Sequence, residues 1–73
     1  MKPGTIDKLV DRVRHARTKH PEWRKTSAFA IDVAALEWQE LQHAVKWESK
    51  ARQKEEALDL CAVLLRFVEG DAE

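Results

Sequence analysis

Residues 36–41 read LEWQEL and place two acids, Glu37 and Glu40, three positions apart where the apolar spacing predicts a helix. On a helix that advances about 100° per residue, five small or apolar residues lie within about 60° of Glu37, namely Ala30, Val33, Ala34, Leu41 and Ala44. Glu40 lies on the same face. A buried carboxylate is costly unless a cation or hydrogen bonds compensate it. The stretch therefore predicts a helix whose packed face carries two acids in need of a positive partner.

A second acidic pair, Glu56 and Asp59, also shares a helix face with apolar residues. If the chain reverses between the two pairs as an αα-hairpin, Glu37 lies level with Asp59, and Glu40 lies level with Glu56. This register requires a turn centred on residues 48–49, whose serine can cap the returning helix. No glycine or proline marks the turn, so a single long helix through this region remains the alternative.

The composition favours an all-α fold. The chain has 73 residues, of which 44% are hydrophobic and 36% charged, with two glycines and two prolines. It is too apolar for a disordered chain and too poor in turn-forming residues for many short strands. We expect one domain spanning residues 1–73, with helices at about residues 5–19, 26–48 and 52–69.

The small size of the chain predicts an assembly. The third predicted helix is apolar on two sides, so each of these sides must pack against another helix. A chain of this length buries only about 60% of its unfolded surface, so a lone monomer has little core. We expect the three-helix chain to be completed by oligomerisation, as a homodimer or homotetramer.

Basic residues concentrate at the start of the chain. Residues 1–25 contain eight Lys or Arg residues and three acidic residues. Residues 26–73 contain five Lys or Arg residues and ten acidic residues, so the net charge of the chain is zero. This asymmetry is consistent with nucleic-acid binding, with a phosphate substrate, or with packing of a basic first helix against acidic ones. The basic residues are not interleaved with aromatics, which disfavours a nucleic-acid partner.

The sequence shows no sign of export or membrane insertion. Its single cysteine, Cys61, cannot form an internal disulfide and lies in an apolar run typical of a buried thiol. Residues 1–4 lead into charged residues without an apolar signal core, and no apolar run approaches the roughly 18 residues that span a bilayer. We expect a cytoplasmic protein that does not contact membranes.

The four acids favour a divalent metal. Carboxylates facing one another across a hairpin repel unless cations neutralise them. Oxygen ligands without Cys or His suit Mg²⁺, with Mn²⁺ as a second choice. The alternative is that the acids form salt bridges with the basic first helix, or with Arg52 and Lys54.

The spacing Glu37-x-x-Glu40 followed by Glu56-x-x-Asp59 resembles the paired-acid signature of the MazG-like superfamily. These are all-α nucleoside triphosphate pyrophosphohydrolases, and the likeness is greatest to their short phage-type members. The lead-in at residues 19–23, KHPEW, and the segment EALDL around the second pair are also similar to that group.

The resemblance implies that all four acids bind Mg²⁺. It also implies that Glu40 or Glu37 orients the attacking water, and that the enzyme converts a nucleoside triphosphate to a monophosphate and pyrophosphate. The family often opens the first motif with two adjacent glutamates, and Leu36 stands where the first would be. A noncatalytic helical oligomer, or a partner-binding module that keeps the family scaffold, is the alternative function.

Candidate substrate contacts cluster near the predicted turn. Lys46, Lys50, Arg52 and Lys54 could bind a phosphate tail, and Trp38 could stack on a base. A solvated basic turn and a packing role for the tryptophan are the alternatives.

Overall fold

The computed structural model describes residues 1–19 and 27–69. Its described residues form three helices and no strand, which confirms the all-α fold: α1 (Thr5–Lys19), α2 (Ser27–Trp47) and α3 (Lys50–Val68). None of these helices is long and apolar enough to cross a bilayer. The rest of the lead-in motif after Lys19, the predicted start of the second helix at residue 26, and the chain end from residue 70 lie outside the described residues.

The turn between α2 and α3 is built from Glu48 and Ser49. The backbone N–H of Glu48 still donates to the Ala44 carbonyl at 2.9 Å. Ser49 is extended, with φ −69° and ψ 161°, and its hydroxyl accepts from the Arg52 N–H at 3.3 Å. The Gln53 side chain also donates to the Glu48 carbonyl, at 3.2 Å. These hydrogen bonds provide partners for backbone N–H and C=O groups at the ends of the two helices, and the turn needs no glycine or proline. The predicted turn and serine cap are confirmed, and the single long helix is wrong.

The third helix is the centre of the fold. Within the described residues, α3 packs against both α1 and α2, whereas α1 and α2 do not pack against each other. Within the described residues, α3 is therefore the element that both other helices pack on.

The core of the single chain is small. Its buried hydrophobic residues among those described are Val13, Ala30, Ala44, Ala62 and Val63. All are alanine or valine, so no large side chain is fully enclosed. Several larger apolar residues on α2 and α3 are instead more than half exposed.

Replacing Ser49 with alanine should destabilise the hairpin. Loss of an N-cap oxygen costs about 1 kcal/mol, because an N–H at the start of the helix loses its acceptor. Urea unfolding followed by circular dichroism at one protein concentration measures this cost. Ser49→Thr, which keeps the hydroxyl, should unfold close to the wild-type midpoint; equal midpoints for wild type and Ser49→Ala would exclude a stabilising cap.

Candidate functional site

Three of the four predicted acids meet where α2 packs on α3. Glu37, Glu56 and Asp59 can each offer one carboxylate oxygen such that all three oxygens lie within 4.8 Å of one another. We call these three residues the carboxylate cluster. The hairpin produces it because Glu37 faces α3, while Glu56 and Asp59 lie one helical turn apart on the opposing helix.

Glu40 stands at the edge of this cluster. Its side chain is exposed, unlike those of the three cluster residues. It is still close enough to Glu37 and Glu56 that its charge adds to the effect of burial in raising the pKa of both. Glu40 therefore faces solvent at the mouth of the cluster.

Two carboxylate oxygens of the cluster are buried without a hydrogen-bond partner. They are Oε2 of Glu37 and Oε2 of Glu56, and they are the buried side-chain polar atoms of the described residues that lack one. Glu56 is only 5% exposed. An unsatisfied buried polar atom costs about 1–3 kcal/mol, and more when it is charged. The cluster thus presents acceptor capacity that the described part of the chain leaves unused.

Burial and mutual repulsion raise the pKa of Glu37 and of Glu56. Burial, followed by the charges of Glu40 and Asp59, raises the pKa of Glu37 to about 7. Burial also raises the pKa of Glu56, aided by Glu40 and opposed by the Arg52 guanidinium. Near neutral pH Glu37 is therefore partly protonated, and a cation that bound its carboxylate would displace this proton to solvent.

Among the residues that the structure describes, Arg12 and Arg52 contact the cluster. Arg12 of α1 places Nε 3.1 Å from Oδ1 of Asp59. Arg52 of α3 donates to Oε1 of Glu56 and also contacts Glu48 and Glu55. The salt bridges considered in the sequence analysis are thus present for the first helix and for Arg52, but they leave the second oxygen of Glu56 free of a hydrogen bond.

A cavity of about 470 Å³ opens beside the cluster. Its lining residues come from one flank of α2, the turn and the start of α3: Leu36, Gln39, Glu40, His43, Glu48, Arg52 and Glu56. His43 Nδ1 lies 3.3 Å from Oε2 of Glu48. The positions on α2 recur every three or four residues, so helical spacing could have grouped Gln39 and His43 with Glu40.

The predicted substrate contacts are dispersed. Arg52 lines this cavity, whereas Lys54 lines a separate groove between α1 and α3. Lys46 and Lys50 are exposed. Trp38 follows Glu37 by about 100° around α2, on the flank away from Glu40. The structure therefore brings Arg52 to the carboxylates, and the other four stay predictions.

Comparisons with protein-family models, with curated proteins and with solved structures find no match for this chain. The similarity to MazG-like enzymes rests on the acidic motifs and their lead-in, and membership of that family stays a prediction.

Glu37→Gln should stabilise the metal-free protein in a pH-dependent way. A raised pKa in the folded state means that folding takes up a proton. The stability that this protonated carboxyl contributes to the protein is therefore lost as pH rises from about 4.5, its ordinary pKa, through about 7. The variant should match wild type near the lower pH and exceed it above the upper one, by less than the roughly 3 kcal/mol of the full shift, because solvent screens this partly exposed group. Chemical denaturation in chelator across this range measures the difference.

The matched control is Asp32→Asn, which neutralises an exposed acid on the same helix. Its difference from wild type should stay within about 0.5 kcal/mol across the range. A flat Glu37→Gln difference would contradict the proton uptake.

Proposed function

We propose that this chain is a Mg²⁺-dependent nucleoside triphosphate pyrophosphohydrolase. The observation that carries the proposal is the carboxylate cluster, in which Glu56 is only 5% exposed and its Oε2 lacks a hydrogen-bond partner. A bound cation would compensate both this oxygen and Oε2 of Glu37. The paired-acid resemblance supplies the reaction type.

The cluster fits a small hard cation. Its donors are all carboxylate oxygens, which Mg²⁺ and Mn²⁺ prefer. Mg²⁺ holds its ligands about 2.1 Å away, so two of them lie at most about 4.2 Å apart. The three cluster oxygens lie within 4.8 Å of one another, so the side chains would draw closer together on binding the ion. Glu37, Glu56 and Asp59 would hold the ion, with Glu40 as a fourth, exposed ligand or as a partner for water.

The residues around the cluster suit hydrolysis of a phosphoanhydride. When bound, Mg²⁺ screens phosphate charge and lowers the pKa of water. In this proposal Glu40, at the solvent side, takes the proton of the water consumed as the bond between the α and β phosphates breaks. Arg52 lines the adjoining cavity, where a guanidinium can bind phosphate oxygens. The products are a monophosphate and pyrophosphate.

The proposal includes the biological setting expected from the sequence. The enzyme acts on a nucleoside triphosphate in the cytoplasm, and it works as a homodimer or homotetramer. The small core of the single chain supports the assembly.

A noncatalytic helical oligomer or partner-binding module is the second candidate. The observation that favours it is the pair of arginines at the cluster. Arg12 and Arg52 already neutralise part of the charge of Asp59 and Glu56, so these acids could serve only to fasten the helices together. The two candidates differ in whether Mg²⁺ binds.

Mg²⁺ should raise the melting temperature of the wild-type protein. A ligand present at 100 times its Kd stabilises the folded state by about 2.7 kcal/mol, which in a domain this small corresponds to more than 10 °C. Thermal melts with Mg²⁺ and with chelator measure the shift. Glu37→Gln and Asp59→Asn should lose most of it, and Asp32→Asn should retain it. A wild-type melt that Mg²⁺ leaves unchanged would favour the second candidate.

Glu40→Gln should separate catalysis from metal binding. The wild type should release pyrophosphate from at least one member of a panel of standard and noncanonical ribo- and deoxynucleoside triphosphates, and only with Mg²⁺. Removing the proton acceptor should lower kcat by about 100-fold or more, while part of the Mg²⁺-dependent thermal shift remains. Asp59→Asn should lose both, and Asp32→Asn neither. No pyrophosphate from any triphosphate at high enzyme concentration would refute the enzymatic proposal.

A further inference from the structure

The groove between α1 and α3 is large enough for a small molecule. It has a volume of about 540 Å³, within the range of about 300–1,000 Å³ that is usual for ligand pockets. We call it the α1–α3 groove. Each helix contributes residues three or four positions apart, which is one face of a helix. They include Lys8, Arg12 and His15 of α1, and Ala51 and Lys54 of α3.

The two acids that line the α1–α3 groove already have partners outside it. Asp11 lies 3.9 Å from Nη1 of Arg14 through its Oδ1. Glu55 accepts a hydrogen bond from Nη1 of Arg52 at 2.6 Å. Neither of these arginines lines the groove. The negative charge of the lining is therefore compensated from outside.

The cations of the lining are only partly compensated. Lys8 and Lys54 come from opposite walls of the groove, and within residues 1–19 and 27–69 neither forms an ion pair. Arg12 holds Asp59 through Nε at 3.1 Å, and a guanidinium has two further NH₂ groups that can donate. The groove thus carries an excess of positive charge and of hydrogen-bond donors.

The start of α3 adds backbone donors to this charge. Ala51 is the second residue of α3 and lines the groove. The N–H groups in the first turn of a helix have no acceptor within that helix, and they form the positive end of its dipole. Ser49 accepts from the N–H of Arg52 and leaves the N–H of Ala51 to another acceptor. Phosphates commonly bind at such a helix end.

We propose that the α1–α3 groove binds a small anion that carries two or more phosphate groups. Lysines on opposite walls suit a ligand with separate negative groups, and phosphate oxygens accept charge-assisted hydrogen bonds from ammonium and guanidinium groups. Seven residues of either helix, from Lys8 to His15 or from Ala51 to Leu58, span about 10 Å. At about 3.4 Å per nucleotide this length covers about three nucleotides, fewer than the four or more that single-strand-binding domains contact.

The α1–α3 groove is distinct from the site beside the carboxylate cluster. The groove and the cavity at the cluster share no lining residue. Arg12 is the contact between the two sites, because it lines the groove and also pairs with Asp59. The groove takes its ligand through cations and needs no metal, so this proposal does not rest on the pyrophosphohydrolase activity.

Titration of the ¹⁵N-labelled wild-type protein with pyrophosphate, followed by NMR, tests the proposal. The titration is run in chelator at constant ionic strength, so that no metal can bring pyrophosphate to the carboxylates. The amide signals of His15, Ala51 and Lys54 should shift and saturate, whereas those of Gln39 and His43 in the other cavity should stay in place. Inorganic phosphate, which engages fewer of the cations, should bind about tenfold more weakly.

Two lysine variants and a matched control separate this site from general attraction to positive charge. Lys8→Gln and Lys54→Gln should each raise the Kd for pyrophosphate by about fivefold or more, because each removes one charged contact. Lys46→Gln removes the same charge from an exposed lysine on α2, outside the groove, and should stay within about twofold of wild type. All three lysines are exposed, and circular dichroism checks that each variant folds.

Four results would overturn the proposal. They are the absence of saturable shifts at the groove, an unchanged Kd in both groove variants, an equal loss of affinity in Lys46→Gln, and tighter binding of a single-stranded oligonucleotide than of pyrophosphate. The last would make nucleic acid the ligand. None of them bears on the carboxylate cluster, because the Mg²⁺-dependent melt and pyrophosphate release report on that site separately.

Discussion

The desolvation of acidic side chains at the α2–α3 contact is the constraint on which the rest of the structure depends. Glu56 is almost fully enclosed, and Glu37 is partly so, in a chain whose hydrophobic core consists of alanine and valine. A core this small offers little energy to offset buried charge. Two arginines and retained protons supply part of the compensation. Two acceptor oxygens, Oε2 of Glu37 and Oε2 of Glu56, remain without a hydrogen-bond partner.

The central position of α3 follows from its sequence. It carries acids on the line that faces α2, a charged edge toward α1, and apolar residues around the rest of its circumference. Such a helix can be flanked on both sides without the flanking helices touching each other, as the structure shows. The hairpin consequently has two different surfaces, one polar and beside the acids, the other apolar.

The hairpin could be predicted from the sequence because the features that define it, helical spacing and a serine cap, depend on residues close together in the chain. Helical spacing placed Glu37 opposite Asp59, and the cap at Ser49 needs contacts only within one turn. The contact of Arg12 with Asp59 was foreseen only as a general pairing of basic and acidic helices, because two long side chains from distant segments leave no periodic signal. The exposure of Glu40 was also missed: lying about 60° from Glu37, it turns past the contact line to solvent.

The two-residue connection at Glu48 and Ser49 has a kinetic consequence. Contacts next to the turn close short loops, and each further pair along the hairpin extends a structure already begun. Contacts of α1 with α3 must instead close a loop that spans the whole of α2. The chain should therefore assemble its acidic pairs as an early, fast event, with the basic first helix arriving later on a hairpin whose negative potential already attracts it.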